Sequence, residues 1–568
     1  MFQPDYTPIA HSLGWSAAVA ALPLVIMFVL LGGLRVRAPI AAAVGVATAA
    51  LIAWGVYHMP AAQVADSALL GFTYGMFPIM WLVLNAIWIY NLTVQTGHRD
   101  VLCRSMASIS PDHRIQAVIV AFCFGALIEG LAGFGTPVAI TSLMLVALRF
   151  SPLKAAAVAL VANTAPVAFA SLGIPIVALS GVTGLSLDAL GAMVGRQTPI
   201  LACIVPLVLI FMVDGRKGLR QAWPAAAMGG GVYAIVQFLC SNFFSVELTD
   251  IAGSIISAGS IVLLLRVWRP QAPVHGATLE AAGRPESEGV TAPLAVTHVD
   301  RSDVSVLTAR PASGVRDEVI DSRKDVVLAY APYVMVTAIF TLSMWKPFTA
   351  LLKHGGTSFA WPGLHVANAA HKPSALAVFK LDFLSSAGTL LLISGLLTML
   401  VLRTSAGQAG RAYVSAAIQL RSAALTVGLV LALAYLLNLS GETTTLGLWI
   451  AGAGALLGVV SPVIGWLGVT VTGSDTSSNS LFGVLQVSAA HAAGISPTLL
   501  AAANSSGGVI GKMLSPQSLV IATAAVQMKG KEGDLFRKVF KWSMLLLALM
   551  CVLVYLQSTS WLGWMVVS

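Results

Sequence analysis

Two stretches of this chain place acidic residues, amides, glycines and prolines inside otherwise apolar sequence. The first runs from 129 to 176 and begins with Glu129, and the second runs from 474 to 522 and contains Asp475. On insertion scales a charge at the centre of a membrane helix costs about 2.5–3.5 kcal/mol, so it persists where it is neutralised, paired or needed. Apolar surroundings also favour the neutral form of a carboxyl group. Both residues are therefore candidate proton-coupling groups, unless each only caps a neighbouring helix N-terminus.

Amide and hydroxyl side chains occupy similar places in the two stretches. Asn163 is followed by Thr164, and Asn504 is followed by Ser505 and Ser506. Such residues suit the backbone where a helix is broken. Together with the free N–H groups at a half-helix N-terminus, they could hold a substrate carboxylate. The competing interpretation is that these side chains only hydrogen-bond neighbouring helices together.

Lys512 lies among small residues just before a Ser-Pro break, and its charge needs a partner. Two interpretations stay open, because it could neutralise an anionic substrate or form a structural ion pair with Asp475. The Gly-Lys pair at 511–512 resembles the end of a phosphate-binding loop. However, Ser506 and Met513 stand where that loop requires Gly and Ser or Thr, which excludes a nucleotide site.

The same stretches supply the remaining candidate substrate-binding residues, which share hydroxyl or amide side chains. They are Thr136, Ser477, Ser478, Asn479 and Gln517. A second interpretation keeps this site but couples it to Na⁺, with the oxygens of residues 477–479 and backbone carbonyls as ligands.

The two stretches read as inverted copies of one another. Ser-Pro pairs at 151 and 496 lie 345 positions apart, and the Asn163–Asn504 and Pro175–Pro516 pairs are each separated by 341 positions. Internal repeats with helices broken at corresponding places are the usual indication of a transporter's binding site. We therefore predict two inverted repeats whose re-entrant or broken helices meet near the membrane midplane.

Composition fixes the fold class. The chain is 57% hydrophobic and 10% charged, with a mean hydropathy of +0.86, which is too little polar surface for a soluble protein. The apolar runs predict an all-α polytopic membrane protein with about twelve to sixteen membrane segments. Basic residues concentrate in short loops, which the positive-inside rule places in the cytoplasm, leaving Glu247 and Asp250 on the outer side.

The chain divides into an N-terminal membrane half over 1–267, a flexible cytoplasmic linker over 268–326 and a C-terminal membrane half over 327–568. The linker is rich in Gly, Pro, Ser and mixed charge. Five scattered cysteines show no metal-ligand or disulfide spacing. Without a Walker A, HExxH or GxSxG motif, we predict no enzyme activity, cofactor, metal, ATP or nucleic acid. The expected partners are the lipid bilayer, a small substrate and a proton, in a monomer or homodimer.

Several unusual strings carry a resemblance to a known family. They are FCFGALIEGLAGFGTPVAI at 122–140, VANTAPVAF at 161–169, MVGRQ at 193–197, TGSDTSSN at 472–479 and GKMLSPQS at 511–518. They closely resemble the bacterial lactate permease family, whose members include L-lactate and glycolate permeases. The resemblance implies a secondary transporter of the bacterial cytoplasmic membrane that takes up lactate, and often glycolate, with protons. It also implies membership of the ion-transporter superfamily, with inverted repeats and elevator-type alternating access.

These observations combine into one mechanistic hypothesis. A 2-hydroxy monocarboxylate binds between Asn163-Thr164 and the amide and hydroxyl groups of 504–506, Lys512 offsets its charge, and protonation of Glu129 or Asp475 lets the loaded site move. Two alternatives are sodium-coupled carboxylate transport and a lactate-responsive membrane sensor without flux.

Overall fold

The computed structural model of the chain describes residues 1–34, 36–133, 135–270, 321–343, 345–367, 373–528 and 530–567. Helices dominate these residues, which confirms the predicted all-α polytopic membrane class. Most of the predicted linker, residues 271–320, lies outside the described part of the chain.

Thirteen α-helices form the described N-terminal part of the chain. They are α1 (Leu13–Ala20), α2 (Leu22–Phe28), α3 (Ala38–Gly55), α4 (Ala61–Tyr74), α5 (Trp81–Gln95), α6 (His98–Ala107), α7 (His113–Gln116), α8 (Gly125–Leu131), α9 (Thr136–Ala147), α10 (Pro152–Ala162), α11 (Ala170–Thr183), α12 (Leu187–Phe243) and α13 (Thr249–Val267). Wider π-helical turns cover Val29–Gly33, Gly75–Met80 and Ala117–Phe124, and a 3₁₀ turn covers Val167–Phe169.

The C-terminal part holds ten further α-helices and one small antiparallel hairpin that the sequence did not predict. These elements are α14 (Arg323–Ser343), α15 (Lys346–Lys353), β1 (Gly356–Ala360), β2 (Val378–Asp382), α16 (Ala387–Val401), α17 (Ala406–Ser440), α18 (Glu442–Ile450), α19 (Leu457–Thr472), α20 (Asp475–Ala493), α21 (Pro497–Gly511), α22 (Pro516–Ala525) and α23 (Glu532–Gln557). Short 3₁₀ turns cover Ala375–Ala377, Ala451–Leu456, Lys512–Leu514 and Gly563–Met565.

Ten helices among the described residues are long and apolar enough to cross a membrane. A further pair, α10 with the segment Val167–Thr183, passes the same test together but bends by 63° at its break, which raises the count to eleven. The 57-residue α12 is interrupted by non-helical backbone at Asp214 and Gly215. Counting its two parts separately gives twelve segments, the lower end of the predicted range.

The two polar stretches share one order of elements. In the first, the buried helix His113–Leu131 breaks before α9, a Ser-Pro turn starts α10, and a second break separates α10 from α11. In the second, α19 breaks before α20, a Ser-Pro turn starts α21, and a second break precedes α22. Both Ser-Pro turns place Ser at the N-cap and Pro at the first helical position, a preferred helix start. This shared order agrees with a repeat, while its inversion stays a prediction.

The second break of the first stretch has unusual backbone. Ser171, Leu172 and Gly173 take left-handed φ values of 45°, 58° and 78°, and regular helix resumes at Ile174. Non-glycine residues in this region cost of order 1–3 kcal/mol each and persist where the surroundings hold them, often at functional sites. Pro175 follows at once and lacks a backbone N–H, which favours a helix start there.

Small residues let the helices of the second stretch approach closely. A methyl group on Gly465 of α19 would collide with the backbone of Asn504 in α21, and one on Gly507 would collide with the backbone of Pro462. Helix α20 packs against both α21 and α11 of the first stretch. The two broken stretches are therefore in direct contact, as the hypothesis required.

Candidate substrate and proton site

A cavity of about 60 Å³ lies where the two broken stretches meet. Its polar walls come from both: Glu129 and Ser171 from the first, and Ser474, Asp475, Thr476, Lys512, Gln517 and Ser518 from the second. One water needs about 10–15 Å³ on this measure, so the cavity has room for a few water-sized groups. This is the scale of a short organic acid.

Helix N-termini from both stretches converge on this cavity. Its lining includes Gly135, the N-cap of α9, and Ser474, the N-cap of α20. It also includes Gln517 in the first turn of α22 and Ile174, where regular helix resumes in α11. Free N–H groups and the positive end of the helix dipole make a helix N-terminus attractive to anions. Four of them around one small cavity form a suitable environment for a carboxylate.

The strongest contact between the two stretches is an ion pair at the cavity wall. The Nζ atom of Lys512 lies 2.8 Å from Oε1 of Glu129. The Glu129 side chain is fully buried and that of Lys512 is 11% exposed. Lys512 therefore pairs with Glu129 and not with Asp475, the acid that the sequence offered as its structural partner. The second carboxylate oxygen, Oε2 of Glu129, is buried without a hydrogen-bond partner.

Asp475 is held by neutral groups of its own stretch. Its Oδ2 accepts hydrogen bonds from the Ser505 hydroxyl at 2.6 Å and from the Asn479 amide at 3.3 Å. Its Oδ1 is buried without a hydrogen-bond partner. Ser474 serves as the N-cap of α20, with its hydroxyl accepting from the Ser477 backbone N–H at 3.2 Å. The capping interpretation thus applies to Ser474, while Glu129 sits near the C-terminal end of α8.

A chain of side-chain hydrogen bonds continues behind Asp475. Asn504 donates to Oδ1 of Asn479 at 2.9 Å, and Gln486 donates to Oδ1 of Asn504 at 3.3 Å. Asn479 also donates to the backbone carbonyl of Pro175 at 3.1 Å, which ties the second stretch to the break of the first. Neither Asn479 nor Asn504 lines the cavity. Through the hydrogen bonds just described, their amides hold the Asp475 side chain in position.

Four predicted site residues line the cavity: Glu129, Asp475, Lys512 and Gln517. The other nine, which the cavity lining does not include, are Thr136, Asn163, Thr164, Ser477, Ser478, Asn479, Asn504, Ser505 and Ser506. Thr136 directly follows the lining residue Gly135, and the Ser478 hydroxyl donates to the Gly465 carbonyl at 3.3 Å.

Three of these nine have buried polar atoms without a hydrogen-bond partner. They are Oδ1 of Asn163, Oγ1 of Thr164 and Oγ of Ser506. Asn163, Thr164 and residues 504–506 do not line the cavity, so the placement of substrate between them stays a prediction.

The sequence analysis missed a third buried acid near the site. Asp250, in the first turn of α13, is fully buried, and its Oδ1 accepts a hydrogen bond from the Tyr233 hydroxyl at 2.8 Å. Gly130, next to Glu129, faces it: a methyl group there would lie 3.1 Å from Cβ of Asp250. The sequence signal for this residue is an acid directly before the apolar run 251–265. The positive-inside assignment of loops treats such an acid as a surface residue.

Comparison with known proteins places this geometry in context. A family profile described as L-lactate permease matches residues 16–560. The glycolate permease GlcA of Escherichia coli strain K12 is 40% identical over 573 residues, covering 99% of both chains. L-lactate permeases of the same strain and of Bacillus subtilis strain 168 are each 39% identical, covering 100% and 97% of both chains respectively.

Among solved structures, that of Neisseria gonorrhoeae MtrF, titled as illuminating a class of antimetabolite efflux pumps, superposes with a TM-score of 0.43. It is 14% identical and covers 87% of this chain and 84% of that chain. This likeness is too weak to support a conclusion about fold or function.

Proposed function

This chain belongs to the L-lactate permease family, and from that premise we propose that it is a secondary active transporter that imports lactate and related 2-hydroxy monocarboxylates, such as glycolate, together with protons. Relatives named for lactate and for glycolate suggest the shared 2-hydroxy acid as the substrate class. The observation that carries the proposal is the buried Lys512–Glu129 ion pair at a cavity ringed by helix N-termini. We further propose that the protein works in the bacterial cytoplasmic membrane.

The substrate carboxylate would bind at Lys512. The N-termini of α20 and α22 add backbone N–H groups at the same cavity, and Lys512 supplies the one cation that lines it among the described residues. The substrate hydroxyl would hydrogen-bond Gln517 or the unpartnered Oδ1 of Asp475. A cavity of about 60 Å³ favours a short acid over a long one.

Proton coupling would follow from competition for Lys512. A substrate carboxylate that takes this lysine leaves Glu129 buried and unpaired, and breaking a buried ion pair costs about 3–5 kcal/mol. Protonating Glu129 removes that charge. One proton then enters with each monoanion, and the net charge of the site stays the same with and without substrate.

We assign the coupling proton to Glu129 rather than Asp475. Glu129 loses its cationic partner when substrate binds, whereas the hydrogen bonds from Ser505 and Asn479 to Asp475 do not involve Lys512. Asp475 would instead orient the substrate hydroxyl. The empty, ion-paired site and the loaded, protonated site carry the same net charge, so an elevator-type cycle would move the same charge in both directions.

The test is transport by purified protein in liposomes. Labelled L-lactate, D-lactate, glycolate and pyruvate are offered under an imposed pH gradient, with and without sodium. We expect 2-hydroxy acids to accumulate with the gradient, independently of sodium. Accumulation that needs sodium at a fixed pH gradient would replace proton coupling with sodium coupling, and binding without flux would favour the sensor.

A further inference from the structure

Asp250 is a buried acid that the scheme above does not use. It packs against Gly130, the neighbour of Glu129 in the chain, and it does not line the cavity. One of its oxygens accepts from Tyr233, while Oδ2 is buried without a hydrogen-bond partner. An ionised carboxylate in that position would be poorly compensated, because a buried charge requires pairing and full hydrogen bonding.

The titratable groups around Asp250 come from several packed elements. Tyr233 lies on α12, Glu129 on α8 and Lys512 between α21 and α22, and the charges of Glu129 and Lys512 both act on Asp250. Cys123, on the π turn packed against α13, faces Ser257 at 3.4 Å instead. Lys512 already pairs with Glu129 at 2.8 Å, so no cation is left for Asp250 among these groups.

The loop before α13 carries a second acid, three residues from Asp250. Glu247 is half-buried in the loop between α12 and α13, three residues before Asp250, and accepts a hydrogen bond from Ser245 at 2.7 Å. The exposed Asp188 lies close enough to act electrostatically on Glu247. Acidic groups are thus present at the surface, at the start of α13 and at the cavity wall.

We propose, on the basis of the function proposed above, that Asp250 and its partner Tyr233 form a proton-holding station that supplies Glu129 from the side away from the substrate cavity. Asp250 holds the proton while Glu129 is paired with Lys512. When a substrate carboxylate takes Lys512, Glu129 becomes the better base, and the proton moves from Asp250 to Glu129. Asp250 is then reloaded from the loop at 244–248. Substrate and proton reach the coupling residue by separate routes.

The test uses Asp250→Asn in the full-length protein in liposomes. Labelled-lactate exchange at equal pH on both sides is expected to persist, because the Lys512 site is unchanged. Accumulation driven by a pH gradient is expected to fall to the level without a gradient. The matched control is Asp534→Asn, an exposed acid in the first turn of α23 that is not part of the proposed route, and it should leave both activities unchanged.

The variant Tyr233→Phe gives a second measurement, which would not change if Asp250 and Tyr233 had only a structural role. Removing the hydroxyl takes a hydrogen bond from the ionised form of Asp250, so the pH midpoint of gradient-driven uptake should shift upward by about one unit at unchanged exchange. Infrared difference spectra should also lose a protonated carboxyl band in Asp250→Asn. If Asp250→Asn does not fold, Tyr233→Phe decides, and an unchanged midpoint there overturns the proposal.

The outcomes separate this inference from the proposed function. If the unmodified protein does not respond to a pH gradient, the proposed proton coupling itself fails. If it responds and Asp250→Asn responds equally, Glu129 receives its proton without Asp250, and only the station is wrong.

Discussion

The two broken stretches have a similar order of elements but satisfy their polar groups differently. In the second, Asp475, Ser505, Asn479, Asn504 and Gln486 form one continuous chain of hydrogen bonds. In the first, the charge of Glu129 is balanced by a lysine from the other stretch. Its Oε2 atom and the side-chain oxygens of the amide-hydroxyl pair at 163–164 are buried without hydrogen-bond partners.

This difference indicates that the two stretches have different roles in the transport cycle. A connected polar network rigidifies its surroundings. Unpartnered buried polar atoms are costly, and in the second stretch they are Oδ1 of Asp475 and Oγ of Ser506, which lie beside that network. We infer that the second stretch holds a fixed frame around Asp475 and Lys512. The first stretch carries the groups whose partners change during the cycle, with Glu129 as the principal one.

The largest expected effect follows from removing the cation shared by both stretches. Lys512→Met should abolish uptake and exchange, because the substrate loses its counter-charge, and should lower the free energy of unfolding by about 3–5 kcal/mol through the unpaired Glu129. Uptake in liposomes and thermal unfolding in detergent measure the two effects.

The double variant Glu129→Gln with Lys512→Met is the matched control. Replacing both charges by neutral groups should restore most of the stability without restoring transport. Normal exchange in the single lysine variant would show that the substrate does not bind there.

Glu129→Gln should have a more selective effect on transport. Glutamine resembles the protonated acid and leaves Lys512 available to the substrate, so labelled exchange should persist while accumulation under a pH gradient is lost. Exchange should also become independent of pH over the range in which the unmodified protein responds. Accumulation at the unmodified level would exclude Glu129 as the coupling residue.

The asparagines at 163 and 504, which the predicted repeat pairs with each other, offer the most direct comparison. Asn504→Ala removes the donor to Oδ1 of Asn479 and one acceptor of the Gln486 amide, and an unsatisfied buried group costs about 1–3 kcal/mol. Asn163→Ala removes an oxygen that has no hydrogen bond, so its cost should be smaller. Thermal unfolding of the two variants measures the difference. Equal losses would remove the distinction between the stretches.

The sequence predicted the fold class and the meeting of the two stretches, because charged and amide residues at bilayer depth must be buried in protein or line a cavity. Of the eight polar residues that line the cavity in the described part of the chain, it named four as candidates: Glu129, Asp475, Lys512 and Gln517. The partner of Lys512 could not be read from the sequence, since Glu129 and Asp475 are equivalent as local patterns. Only the packing of the breaks brings residues 383 positions apart together.

Two other structural features could not be predicted from the sequence, each for a different reason. The burial of Asp250 depends on contact with Gly130 across two helices, and loop-based topology assigns only a side of the membrane, not exposure. The left-handed backbone at 171–173 uses Ser and Leu, which do not favour that conformation, so it depends on surrounding packing and not on local propensity.

The most direct test of the central claim is the number of protons taken up with each labelled lactate in liposomes, measured by a pH indicator without a membrane potential. The shared use of Lys512 predicts one proton per lactate for the unmodified protein and, for Glu129→Gln, lactate exchange without proton movement. Proton uptake at the unmodified ratio in Glu129→Gln would contradict the claim.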